Sequence, residues 1–143
     1  MSSWLWIGGA LLLGASSGAR FVGAEACKLC HRSLYESWKA TPHRFASERV
    51  PSGPGEAPCL ECHATRGREL AGVQCEACHG PGSAYSAPEV MIDVEKAVLA
   101  GLVLPAAGAC ARCHENEEPG HRNSLPRLDP TELSRFIHDL PGD

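Results

Sequence analysis

One five-residue pattern occurs four times in the chain: Cys27-Lys28-Leu29-Cys30-His31, Cys59-Leu60-Glu61-Cys62-His63, Cys75-Glu76-Ala77-Cys78-His79 and Cys110-Ala111-Arg112-Cys113-His114. Each reads C-x-x-C-H, the spacing at which two thiols add across the two vinyl groups of one haem as thioethers. The histidine that follows supplies the proximal imidazole to the iron. On this reading Cys27, Cys30, Cys59, Cys62, Cys75, Cys78, Cys110 and Cys113 hold four covalent haem c groups. His31, His63, His79 and His114 are then the proximal iron ligands, and all eight cysteines are used.

Zinc, a disulfide framework and a dithiol redox motif also use cysteine pairs. None of them requires a histidine directly after the second cysteine. At ordinary histidine usage, four such coincidences have odds on the order of one in a million or less.

The elements that position these motifs are short. The 143 residues fit one domain. A net charge of −4 argues against a nucleic-acid partner. Aromatic residues make up only 6%, and glycine and proline are frequent, so a large apolar core of the chain's own is not expected. Four haems would be that core. The expected fold is therefore mainly α with extensive loops and little or no sheet, wrapped around the cofactors.

Residues Trp4 to Ala15 form an apolar run that is too short to span a bilayer. Small residues follow, and Ser17-Gly18-Ala19 offers a cleavage site before Arg20. Residues 1–19 read as a signal peptide and residues 20–143 as the tetrahaem domain, with no stable membrane span after cleavage. The missing Lys or Arg before the apolar run is the feature that favours an uncleaved anchor instead. Attachment of c-type haem also belongs outside the cytoplasm, so export and the motifs agree.

After the first motif, His31, Leu34, Tyr35 and Trp38 fall on one helical face that should end before Pro42. Val50 to Pro58 reads as a Pro/Gly loop. The second and third motifs are so close in sequence that their haems should be neighbours. Gly80-Pro81-Gly82-Ser83 cannot extend a helix. Ser86 and Glu89 form a candidate capping box for a helix with Val90, Val94, Ala97 and Val98 on one face, which Gly101 ends. A last short helix starts at Asp129-Pro130-Thr131-Glu132 and carries His138. The acidic Glu115, Glu117 and Glu118 read as a solvated face.

His43, in Thr41-Pro42-His43, is a candidate sixth ligand, as are His138 and His121. Four irons have eight axial positions, and the chain holds seven histidines. At least one iron therefore lacks a second histidine from these residues. Met91 reads more simply as a core residue than as that ligand, and Tyr85 is the other candidate.

Two stretches carry a resemblance to the tetrahaem cytochrome c-554 family of multihaem cytochromes. One is Cys27 to His31 with Ser37-Trp38-Lys39 and Thr41-Pro42-His43. The other is Gly72-Val73-Gln74-Cys75-Glu76-Ala77-Cys78-His79-Gly80-Pro81-Gly82. The resemblance, read over most of the mature chain, implies haems in stacked pairs and a periplasmic carrier that passes electrons between redox partner proteins. It implies that His43 serves another haem, the third, and that His138 serves the fourth. Relatives carry a histidine after the Gly-Pro-Gly turn as sixth ligand to the first haem. Here that stretch is Ser83-Ala84-Tyr85-Ser86, which puts the first haem's sixth ligand in question.

The odd iron keeps two other functions open. An open haem could act as an enzyme on a small nitrogen oxide or peroxide. Alternatively, chains could assemble into an electron-conducting polymer in which a neighbour supplies the ligand. N-terminal sequencing of the protein from a host that exports and matures c-type cytochromes should begin at Arg20. Recovery of Met1 on a membrane-bound form would contradict the cleaved signal.

Overall fold

The computed structural model describes residues 18–106 and 108–115. His121, His138, the apolar run of residues 4–15, Glu117, Glu118 and the stretch from Asp129 lie outside the described residues. What is described is mostly helical, with one small hairpin. The helices are α1 (Ala24–Lys28), α2 (Arg32–Lys39), α3 (Glu56–His63), α4 (Cys75–His79), α5 (Pro88–Met91), α6 (Val94–Leu99) and α7 (Gly108–His114). A 3-10 helix covers Pro42–Arg49, and the hairpin pairs β1 (Ala64–Arg66) with β2 (Leu70–Ala71) in antiparallel fashion. Among the described residues, no helix is long and apolar enough to cross a membrane.

The expected stripe on α2 is present: Tyr35 and Trp38 are buried, and their rings tilt against each other at 5.6 Å. With Ala24 they make one apolar cluster, to which Cys75 adds. The Trp38 indole N–H donates to the Val73 carbonyl (2.7 Å), which fastens α2 to the strand side of the third motif. The Thr41 hydroxyl donates to the Trp38 carbonyl (2.7 Å) and closes the helix before Pro42. Val50, Leu60 and Ala64 form a second cluster, and Tyr85, Ala97 and Leu102 a third.

Three local expectations change. Helix α3 begins at Glu56, inside the stretch read as a loop. Pro58 is tolerated there because first-turn N–H groups have no intrahelical acceptor. The Ser86–Glu89 capping box does not form. Helix α5 instead starts at Pro88 after Ala87, with no side-chain cap. The helix read across Val90 to Val98 is broken in two, because Asp93 caps a new start: its carboxylate accepts from the Glu95 and Lys96 amides (3.1 and 3.2 Å). Val94 and Val98 consequently stay exposed, while Ala97 is fully buried.

The strongest link between distant segments is Glu76, a residue inside the third motif. Its side chain is buried, with the residue 2% exposed, and its carboxylate accepts from the amides of Val22 (2.8 Å), Gly23 (2.7 Å) and Gly82 (2.7 Å). A methyl group on Gly82 would sit 3.0 Å from that carboxylate and 2.9 Å from Val22, so the turn after α4 needs glycine for close approach. Gln74 extends the link by accepting from the Ala24 amide (2.7 Å). Replacing Glu76 by Ala would strand three donors in a buried place. Glu76→Ala should destabilise the holoprotein by about 3 kcal/mol or more, read as a lowered guanidinium midpoint. An unchanged midpoint would show that water replaces the carboxylate freely.

Candidate haem-binding site

A single helical turn explains how each motif presents its groups. Positions i, i+3 and i+4 share one face of a helix, so two thiols and the following imidazole emerge on the same side. Helix α4 is this pattern alone, Cys75 to His79, and α3 and α7 each end on it. In the first motif, α1 ends at Lys28 and His31 becomes the residue before α2. All eight cysteines are free thiols. Among the described residues, no three His, Cys, Asp or Glu side chains converge on a metal-sized site. The convergence that a structural zinc centre needs is not built among the described residues.

Two of the motif histidines have their rings fixed by backbone carbonyls. The Nδ1–H of His63 donates to the Ala46 carbonyl (3.0 Å), and that of His79 to the Val103 carbonyl (2.9 Å). A carbonyl can only accept, so Nδ1 carries the proton and the lone pair is on Nε2, the nitrogen a haem iron takes. Neither acceptor was legible in the sequence, because both are backbone groups from other segments.

The motifs meet across the chain. A hydrogen bond with Cys75, then burial, raises the Cys27 thiol well above its ordinary range, so the first motif lies against the third. Burial and a hydrogen bond with Cys113 push Cys62 up to about 11, which sets the second motif against the fourth. Burial, then the nearby Cys110, raises Cys78. Strand β1 packs against both α3 and α4, so the second and third motifs flank one hairpin, as their short spacing suggests. A cleft of about 330 Å³ opens between the third and fourth motifs, lined in part by Cys78, Val103 and Arg112.

The 3-10 helix Pro42–Arg49 carries His43 into this group. The His43 ring centre lies 5.9 Å from that of His114, with the ring planes 52° apart. Burial and then the neighbouring His114 lower the His43 pKa. The backbone of this helix is held from the strand side. The Val73 amide donates to the His43 carbonyl (2.9 Å), and the Gly72 amide to the Ser47 hydroxyl (3.0 Å). Sequence reasoning did not single out Ser47 or the role of Gly72, and a glycine just before the third motif was the available signal.

The two alternative ligands have other engagements. Tyr85 is buried, and its hydroxyl donates to the Gly80 carbonyl (2.7 Å). Met91 packs against the cluster of Tyr85, Ala97 and Leu102.

Comparison with known proteins agrees with this geometry. Residues 26–80 match the model of the family described as cytochrome c554 and c-prime. That stretch takes in the first three motifs and His43 and stops short of the fourth motif. Cytochrome c-554 of Nitrosomonas europaea is 31% identical over 96 residues, covering 47% of this chain and 41% of the relative. In sequence the chain is thus similar to cytochrome c-554 over part of its length. The solved structure of the reduced state of cytochrome c554 from Nitrosomonas europaea superposes with a TM-score of 0.54. At 23% identity, over 82% of this chain and 78% of that one, it speaks for the fold. The chain spans about two fifths of the length of the curated cytochrome c-554 it matches.

Gly72 tests how tightly the His43 helix is held. Its φ is +76°, and an added Cβ would lie 2.4 Å from the Arg44 carbonyl oxygen. Gly67, in the same hairpin, also has positive φ, yet a Cβ there meets nothing within 4 Å. Gly72→Ala should therefore cost about 3 kcal/mol and Gly67→Ala about 1 kcal/mol, measured as separate shifts in denaturation midpoint. Equal losses would show that the close approach to Arg44 relaxes at no cost.

Proposed function

We propose that the chain is a tetrahaem c-type cytochrome that carries electrons between redox partner proteins in the periplasm. The observation that carries this reading is the repeated helical turn with two thiols and an imidazole on one face, together with Nδ1–H groups of His63 and His79 donated to carbonyls. Haem c supplies a reversible one-electron change at its iron. The protein's own residues would do the rest. Cys27/Cys30, Cys59/Cys62, Cys75/Cys78 and Cys110/Cys113 would fix the four groups covalently, so none is lost on redox cycling. His31, His63, His79 and His114 would hold one axial position each, and the carbonyl partners keep two of those rings from turning.

The described protein also leaves room for such a core. Its buried apolar residues fall into three small clusters, and Leu29, Ile92 and Leu99 are each more than 85% exposed. Leu29 lies between the two cysteines of the first motif, where a porphyrin edge would cover it. The contacts of Cys27 with Cys75 and of Cys62 with Cys113 bring the motifs together in two pairs, the arrangement that short electron hops need. A single domain over residues 20–143, following a signal peptide, and a periplasmic location complete the reading.

Intact mass of the protein from a c-haem-maturing host should equal the chain from Arg20 plus four haems. A mass without haem, or with zinc, would end this reading. Seven histidines leave at least one iron without a second histidine from these residues. Electron paramagnetic resonance of the oxidised protein should accordingly show a high-spin component beside low-spin ones, and the reduced protein should take up carbon monoxide. Low-spin signals alone with no uptake would mean that another residue or a partner chain fills the position.

A further inference from the structure

Resting on the haem reading above, we infer that Glu76 tunes electron transfer: its buried carboxylate lowers the reduction potential of the haem bound at Cys75 and Cys78 and biases the electron toward the other haems.

Glu76 is placed where a charge acts on the third motif and is shielded from water. It lies between the two cysteines on α4, a helix that is the motif and nothing else (Cys75–His79). The residue is 2% exposed. Its carboxylate is met by three neutral amides, those of Val22, Gly23 and Gly82. Among the described residues no Lys or Arg pairs with it. Arg112 of the fourth motif borders the cleft that Glu76 also borders, and the two form no ion pair. The amides replace the hydration of the charge and add no opposite charge to cancel it. A charge in a partly desolvated site acts about four times as strongly at a given distance as one in water.

The other motifs lack this device. The equivalent position holds Lys28 in the first, Leu60 in the second and Ala111 in the fourth, so only the third has a carboxylate there. Glu61 is the next position of the second motif, but it is exposed, and solvent and salt screen it. Two glutamates thus lie inside motifs, and burial separates them.

Reduction adds one electron from the donor protein to a ferric iron and lowers the charge of that site by one. No bond is made or broken. A fixed negative charge nearby favours the more positive, oxidised state, so it lowers the potential of the nearest iron most. The amides of Val22 and Gly23 lead into the first motif, which puts the haem at Cys27 and Cys30 second in reach. The second motif contributes no partner to Glu76, and its haem feels the charge least.

The test is a redox titration of the four-haem protein followed by nuclear magnetic resonance, which reads each haem separately. The third haem is recognised by contacts to the side chains of Cys75 and Cys78. Glu76→Gln removes the charge and keeps the size. It should raise the midpoint of the third haem, and by more than Glu61→Gln raises that of the second. No rise, or equal rises from the two substitutions, overturns the inference. Glu76→Asp keeps the charge and spoils the fit. It should lower the guanidinium midpoint yet leave the third haem near its native potential. A rise as large as that of Glu76→Gln would show that the potential follows packing, and would overturn the inference as well.

If Glu76→Gln does not retain four haems, Val22→Lys decides. Val22 is 38% exposed, and its side chain lies against Gly82, so a lysine there sets a cation beside the intact carboxylate. The midpoint of the third haem should then rise, and an unchanged midpoint refutes the inference. Intact mass separates this inference from the one it rests on. A native chain with fewer than four haems fails the haem reading, whereas a four-haem protein whose third midpoint ignores Glu76 fails only the tuning.

Discussion

Glu76 is a carboxylate buried inside the third C-x-x-C-H motif, and its two oxygens accept three backbone amides, two from a segment more than fifty residues earlier and one from the turn that follows. A buried charge persists only where hydrogen bonds replace its hydration. Here those bonds come from the segment that leads into the first motif and from the turn that follows the third. Each such charge-assisted bond is worth about 1.5–3 kcal/mol, comparable to burying a large apolar side chain. With three small apolar clusters among the described residues, one residue of this kind sets the relation between two motifs. The contact of Cys27 with Cys75, the packing of Cys75 on Tyr35 and Trp38, and the Trp38 bond to Val73 all follow from holding those segments together.

A second layer hangs from the hairpin. β1 and β2 are too short to be stable alone, yet they separate α3 from α4 and hold the His43 helix through Gly72 and Val73. The hairpin is itself tied down by Arg68, whose guanidinium reaches the Val50 carbonyl and the Glu56 carboxylate. The ion pair with Glu56 is largely exposed and adds little, whereas the bonds to backbone carbonyls fix the loop before α3. Positioning in this fold comes from backbone groups reaching across segments, with side-chain packing in a lesser role.

That division explains which features were readable from sequence. The motifs were legible because thioether chemistry dictates their spacing whatever the fold. The α2 stripe was legible because Tyr35 and Trp38 repeat with the helical period. The break at Asp93 was not, since the apolar period runs straight through it and only the local geometry shows the carboxylate capping α6. Pro58 misled in the other direction: it reads as a loop residue yet sits in the first turn of α3. The approach of His43 to His114 and the carbonyl partners of His63 and His79 depend on long-range placement, for which one sequence carries no local signal. Glu76 was visible only as a variable position within C-x-x-C-H, and nothing in its spacing marks it as the residue that ties two motifs together.

The span of the Glu76 bonds bears on how such a chain is assembled. Its links to Val22 and Gly23 join residues 54 and 53 positions apart. A chain that emerges N-terminus first exposes Cys27 and Cys30 long before Glu76 arrives, and until then nothing can clamp the segment ahead of them. Closing a loop of that length is entropically slow to repay. Until then the thiols of Cys27 and Cys30 lack this long-range clamp. Closure of the Glu76 clamp on Val22 and Gly23 needs the third motif, so the fold around the first motif is completed only once both segments are present.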